Sequence, residues 1–237
     1  AGFSGLAASW QGSLRDNGGE VGRITGTGTV ASGSGSIAAR WQGQTRLESI
    51  AIDRLSGRLA GARFNGQVTA NGAIAARPTA LAIDAAWSGT VTDGAGRLVG
   101  LTGAANLADE RWRASAQIDQ AQLDRLVAGV AADLAEPLHQ RLPDGQFTGQ
   151  VTATGFLSNP ETLAATIAGQ ASDRSGLVAQ LSATAQRQPG DRWQAEATID
   201  PLALNRLAPQ IRSGAFVGRL TAAGPIAALA AGDLGSI

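Results

Sequence analysis

FTGQVTATGFL runs from Phe147 to Leu157. Taken alternately, Phe147, Gly149, Val151, Ala153, Gly155 and Leu157 fall on one side, and Thr148, Gln150, Thr152 and Thr154 fall on the other. A period of two is the mark of a β-strand with one apolar face, because successive side chains point to opposite sides of a sheet. The same string returns as FNGQVTANGAI from Phe64 to Ile74 and as FVGRLTAAGPI from Phe216 to Ile226, and its opening alone returns as Phe3-Ser4-Gly5. A second string occurs twice, RWRASAQIDQAQLDRL from Arg111 to Leu126 and RWQAEATIDPLALNRL from Arg192 to Leu207. The Phe boxes are spaced by 61, 83 and 69 residues, so the chain is built from one supersecondary unit with a connector of variable length. We divide it into repeats 1–63, 64–146, 147–215 and 216–237 of one repeat segment. About four strands per repeat, roughly 17 in all at about 4.8 Å each, would form an elongated sheet.

Alternation assigns an apolar face throughout. In the second repeat it takes Phe64, Val68, Ala70 and Ile74, then Leu81, Ile83 and Trp87, then Trp112, Ala114 and Ile118. In the third it takes Phe147, Val151, Ala153 and Leu157, then Leu177 and Leu181, with Val178 on the polar side, then Trp193 and Ile199. Phe216 and Leu220 continue it. These residues are the candidate lipid-contacting lining. Between Gln120 and Gln140 the period changes to three and four, through Leu123, Leu126, Val127, Val130, Leu134 and Leu138, which predicts a helix that Pro137 kinks or ends. Asp119 and Asp200, each after the last strand of a repeat, are expected to serve the turn or to cap the helix that follows.

An apolar sheet face has to be covered by a second sheet, by closure or by a ligand. Aromatic residues make up only 4% of the chain, and the inward positions alternate large residues with Gly and Ala, too thin a filling for a sandwich core. Small inward residues let a sheet curl and leave a trough. The expected fold is therefore all-β, a curled repeat sheet with short helical connectors. The nineteen basic residues are all arginine and balance nineteen acidic ones, leaving no net field for nucleic acid. Without cysteine there is no disulfide or thiolate metal site, and we expect no metal, no cofactor and no enzymatic activity. The only histidine, His139, reads as a helix-end residue rather than a general base. Gly26 to Ala31 matches a dinucleotide fingerprint in letters alone, because a Gly/Ser stretch from Ser32 to Ser36 follows where a helix should begin.

The pieces LPDGQFTGQVTATGFLSNPETLAATIAG, Leu142 to Gly169, and LNRLAPQIRSGAFVGRLTAAGPI, Leu204 to Ile226, resemble the repeats of the TamB family. There an L-x-x-L connector leads through a G-x-[FL]-x-G box to a strand and a G-x-[LI]-x-N-P turn, here Gly155 to Pro160. The resemblance implies a long periplasmic protein of the cell envelope, anchored in the inner membrane, whose taco-like β groove carries phospholipid acyl chains and which serves outer-membrane protein assembly. It also implies that the chain is a segment of a longer protein, with the anchor and the contact with an outer-membrane assembly protein in other parts. The family's carboxy-terminal partner-binding domain is not evident in this sequence. The alternative is a closed β-solenoid, a structural or adhesin-type passenger that binds a protein partner, although its short rung period of roughly 18 to 25 residues is not seen.

Overall fold

The computed structural model describes residues 5–34, 37–56, 59–75, 81–128, 136, 139–207 and 210–226. The fold is all-β. Its strands are antiparallel and follow one another in chain order, an arrangement unlike the parallel coil of a β-solenoid. Two compact units divide between Ala116 and Gln117. The first holds β1 (Leu6–Asp16), β2 (Gly19–Ser32), β3 (Ile37–Ala51), helix α1 (Ile52–Ser56), β4 (Arg63–Ala75), β5 (Leu81–Asp93) and β6 (Gly96–Ala108). The division falls inside β7 (Arg111–Gln122). The second unit holds α2 (Leu123–Ala128), β8 (Gln146–Phe156), a 3-10 turn at Pro160–Thr162, β9 (Ala164–Asp173), β10 (Gly176–Gln188), β11 (Arg192–Ala203), α3 (Leu204–Leu207) and β12 (Ala215–Pro225).

The Phe boxes open β4, β8 and β12, so the second and third repeats each begin a set of four strands and the last repeat begins with β12. Each box strand is preceded by a short helix of pattern [IL]-[DN]-R-L, at Ile52, Leu123 and Leu204. The first residue of each helix donates its N–H to the carbonyl two positions before the box Phe: Ile52 to Ala62 at 2.9 Å, Leu123 to Gly145 at 2.9 Å and Leu204 to Gly214 at 3.0 Å. Every connector is thus a loop closed by the same backbone bond, whatever its length.

A second repeated device closes the neighbouring turns. Asp16, Asp93 and Asp173 each accept a hydrogen bond at 2.7 Å from the N–H two residues on, that of Gly18, Ala95 and Ser175. Such a turn holds the chain with the carboxylate in place of a backbone carbonyl. Three residues after each Asp stands a glycine with φ of +113° (Gly19), +111° (Gly96) or +116° (Gly176), a region that a side chain disfavours. The connector arginine then reaches back to that turn: Arg54 pairs with Asp16, and Arg206 grips both carboxylate oxygens of Asp173.

The buried apolar side chains gather at this connector end. In the first unit they are Val21, Ile50, Ala51, Ala62, Val91, Leu98 and Val99, and in the second Ala121, Leu142 and Val178. Val21, Leu98 and Val178 hold the same place, two residues after the turn glycine. The sheet is therefore sealed along one rim by its connectors, while its remaining length carries alternating half-buried apolar and exposed polar positions, as in β3.

Four expectations change. Twelve strands are described rather than about 17, because the first repeat supplies three and the last only one. Gln120 to Gln122 belong to β7, and the helix begins at Leu123. Residues 129–135 and 137–138 of that predicted helix lie outside the described residues. Asp119 and Asp200 sit inside β7 and β11, well ahead of Leu123 and Leu204, so neither caps a helix. Leu177 is exposed and Val178 is buried, because a bulge between Leu177 and Ala179 reverses the side-chain parity there.

Candidate apolar binding face

The F-x-G box works through its ring. Gly66 of β4 is registered with Gly89 of β5, and Gly149 of β8 with Gly169 of β9. The Phe64 and Phe147 rings lie down across these glycine pairs: a Cβ added to Gly66 would come within 2.6 Å of Phe64 Cζ, and one on Gly149 within 2.8 Å of Phe147 Cζ. A ring laid over a cross-strand glycine fills the gap left by the missing side chain. Three tryptophans follow the same rule, with Trp10 over Gly26, Trp41 over Gly72 and Trp87 over Gly103, and Trp193 is registered with Gly224. Large rings therefore lie along the sheet, over its glycines.

Register then lines up a lane of small residues across the strands of each unit. In the first it runs Ala8, Gly28, Gly43, Ala70, Ala85 and Ala105. In the second it runs Ala153, Ala165, Ala185, Ala195 and Ala222. Larger residues flank each lane. Val68 and Trp87 lie on its connector side in the first unit, with Trp41 and Ile83 on the far side. Val151, Ile167 and Leu220 form the connector-side flank in the second, and Trp193 the far one. Arg187 stands opposite Trp193 on this far flank, its guanidinium paired with Asp191, a charge that alternation alone did not mark.

Of the expected lining, Phe64, Val68, Ala70, Ile83, Trp87, Trp112, Ala114, Ile118, Phe147, Val151, Ala153, Leu181, Trp193 and Ile199 are half-buried. Ile74, Leu81, Leu157 (62% exposed), Phe216 and Leu220 (59%) are exposed, at strand ends or on β12. Leu177 is exposed beside its bulge. The apolar face thus keeps large side chains in contact with solvent, away from the sealed rim. Shallow depressions also occur on the polar face, of about 650 Å³ among Ser9, Thr27, Gln42, Gln44, Thr69 and Asn71 and of about 520 Å³ among Thr148, Gln150, Gln170, Gln180, Ser182 and Thr198.

His139 Nδ1 lies 2.8 Å from Asp124 Oδ2, tying the end of the long connector to α2. Asp53 does the corresponding work in the first connector by accepting from the Gly61 N–H at 3.0 Å. The Gly26 to Ala31 string lies within β2, away from any helix. Among the described residues no cluster of His, Asp and Glu is arranged to hold a metal, and no helix is long and apolar enough to cross a membrane.

Asp173 has a displaced acidity. Burial opposes its ionisation, but hydrogen bonds from Arg206 and from the Ser175 and Gly176 N–H groups, with the Arg206 charge, outweigh it and hold the carboxyl below its usual range. Comparison with family models, with curated proteins and with solved structures finds no match to this chain.

Proposed function

We propose that this chain is a non-enzymatic carrier surface, in which the apolar face shields phospholipid acyl chains in the small-residue lane. The observation that carries the reading is the lane itself. Two rows of Gly and Ala cross the strands, flanked by Val, Ile, Leu and Trp side chains that the chain leaves partly uncovered, with the Trp10 ring reaching over Gly28 and Gly43 in the first. Methylene chains need no hydrogen-bond partner, gain from contact with apolar area and fit a narrow strip between larger side chains. The sheet curls around them as a β-taco groove. With the resemblance to TamB repeats, this makes the chain a segment of a periplasm-spanning bridge that moves phospholipid and supports outer-membrane protein assembly.

Native mass spectrometry with lipid extraction tests it. Wild type and Gln180→Arg, on the polar face, carry phospholipid. Val151→Asp and Leu181→Arg lose it, because a charge desolvated by an acyl chain without a partner costs several kcal/mol. Their circular dichroism and melting temperature change little, since the empty lane leaves the charge hydrated. Absence of lipid from the wild type, together with unfolding of Leu181→Arg, would show that the face is a sealed core and defeat the reading.

A further inference from the structure

On the apolar face of the second unit a guanidinium stands where the first unit has a leucine. In the first, lane residue Ala105 faces Ala85, and two residues on Leu107 faces Ile83. In the second, lane residue Ala185 faces Ala165, and two residues on stands Arg187, whose backbone N–H donates to the Leu163 carbonyl at 2.9 Å. On its other side Arg187 faces Trp193, which in turn faces Gly224. Set in this apolar row, the Arg187 side chain is only 24% exposed, and a charge so placed has to be compensated. Its guanidinium pairs with Asp191, in the turn before β11, a carboxylate that is itself 80% exposed. The pair leaves the site short of acceptors. Arg187 Nε and Trp193 Nε1 are both buried, and neither has a hydrogen-bond partner among the described residues. Buried donors are normally satisfied, and donors gathered around a guanidinium suit an anionic oxygen.

We propose that Arg187, with the Trp193 indole N–H, binds the phosphate of an anionic phospholipid headgroup whose acyl chain lies in the second lane. The inference rests on the acyl-chain reading of that lane and adds to it a choice among headgroups. Along β10 Arg187 is two residues, about 7 Å, beyond Ala185, on the flank away from the connectors. A chain in the lane therefore turns its head toward the open rim, where the phosphate keeps water on one side. Asp191 holds the guanidinium until the headgroup arrives and then turns its exposed carboxylate into solvent. The fork of N–H groups meets two phosphate oxygens at once. Phosphatidylglycerol, which carries no cation of its own, gains most from this contact, whereas the choline of phosphatidylcholine already offsets its phosphate charge. The first lane, with Leu107 at the equivalent place, makes no such choice.

The test presents the purified chain with vesicles of equimolar phosphatidylglycerol and phosphatidylcholine of identical acyl chains, and quantifies the lipid it retains by native mass spectrometry. One charge-assisted hydrogen bond is worth about tenfold in affinity, so phosphatidylglycerol is expected to be enriched severalfold. Arg187→Leu keeps the amount of bound lipid and loses the enrichment. Asp191→Asn removes the internal competitor and raises the enrichment. These opposite signs separate a headgroup site from a structural ion pair, which would lower the melting temperature in both variants and leave the lipid ratio unmoved. That outcome overturns the proposal, as does equal enrichment in wild type and Arg187→Leu, or enrichment that falls in Asp191→Asn. Soluble glycerol phosphate leaves the bound lipid in place, because no chain anchors it; displacement of the lipid would assign Arg187 to a free anion and overturn the headgroup. Lipid bound without an Arg187-dependent preference defeats this inference alone, whereas a wild type that takes no lipid defeats the acyl-chain reading and this inference with it.

Discussion

At the scale of single residues the structure turns on rings over glycines and on carboxylates in turns. Gly169 lies under Phe147, and a Cβ there would come 2.5 Å from the ring. Gly169→Ala is expected to destabilise by about 1–3 kcal/mol, the usual cost of overpacking. Much of that loss should vanish in a Phe147→Ala background, where no ring remains to displace, and a double-mutant cycle followed by denaturant melts gives the coupling. Additive losses would show that the ring does not need the glycine. Asp173 gives a pH prediction. Its folded acidity is displaced downward, so its contribution to stability is fully present above the ordinary carboxylate range and disappears as pH falls through the lowered value. Melting temperature measured through the acidic range should therefore fall less steeply in Arg206→Gln than in wild type, from a lower starting point. Identical slopes would remove Arg206 as the cause. The F-x-G box was legible in sequence, but the reason for it was not, because alternation states a face and cannot say whether a ring stands up or lies down. The bulge at Leu177 was likewise invisible, since one inserted residue changes no composition and yet exchanges Leu177 for Val178 on the buried side.

At the scale of elements the repeat is four strands and one closed connector. The change of period after Asp119 predicted a helix from Gln120, and its start moved to Leu123 because β7 continues to Gln122. The Asp-x-x-Gly turns and the Ile52 helix escaped the sequence reading, although it had the L-x-x-L of the other two connectors, because each is too short to be distinguished from chance until Arg54 and Arg206 are seen reaching Asp16 and Asp173. Connector length is the variable part. The closing bond spans ten residues from Ile52 to Ala62 and from Leu204 to Gly214, but twenty-two from Leu123 to Gly145. Deleting residues 128–139 makes the middle connector equal to the other two. The expected product keeps one cooperative thermal transition and strand-type circular dichroism, shifted by a few degrees at most, because loop length alone changes closure entropy by less than about 1 kcal/mol. A non-cooperative melt would show that the long connector is part of the core.

For the whole chain, the decisive question is which face is occupied. All five tryptophans, Trp10, Trp41, Trp87, Trp112 and Trp193, fall on the apolar face by strand parity, and the chain has no tyrosine, so its ultraviolet emission reports on that face alone. Indoles that are half-buried or, for Trp10, exposed emit to the red of a sealed core, and an acyl chain laid beside them displaces water from the ring. Phospholipid should therefore shift the emission to the blue and protect it from iodide, while the same lipid brominated along its acyl chains should quench it, since quenching requires near contact with the indole. Trp41, Trp87 and Trp193 flank the lanes and the Trp10 ring lies over Gly28 and Gly43 in the first, so replacing these four with Phe should remove most of the lipid-dependent quenching and leave Trp112 to report the remainder. The polar face supplies the contrast. A ligand held among Thr27, Gln44 and Asn71, in the larger depression, would leave bromine on the wrong side of the sheet and the emission unchanged. Binding measured by mass spectrometry without brominated quenching would move the site to that polar face and set aside the acyl-chain lane.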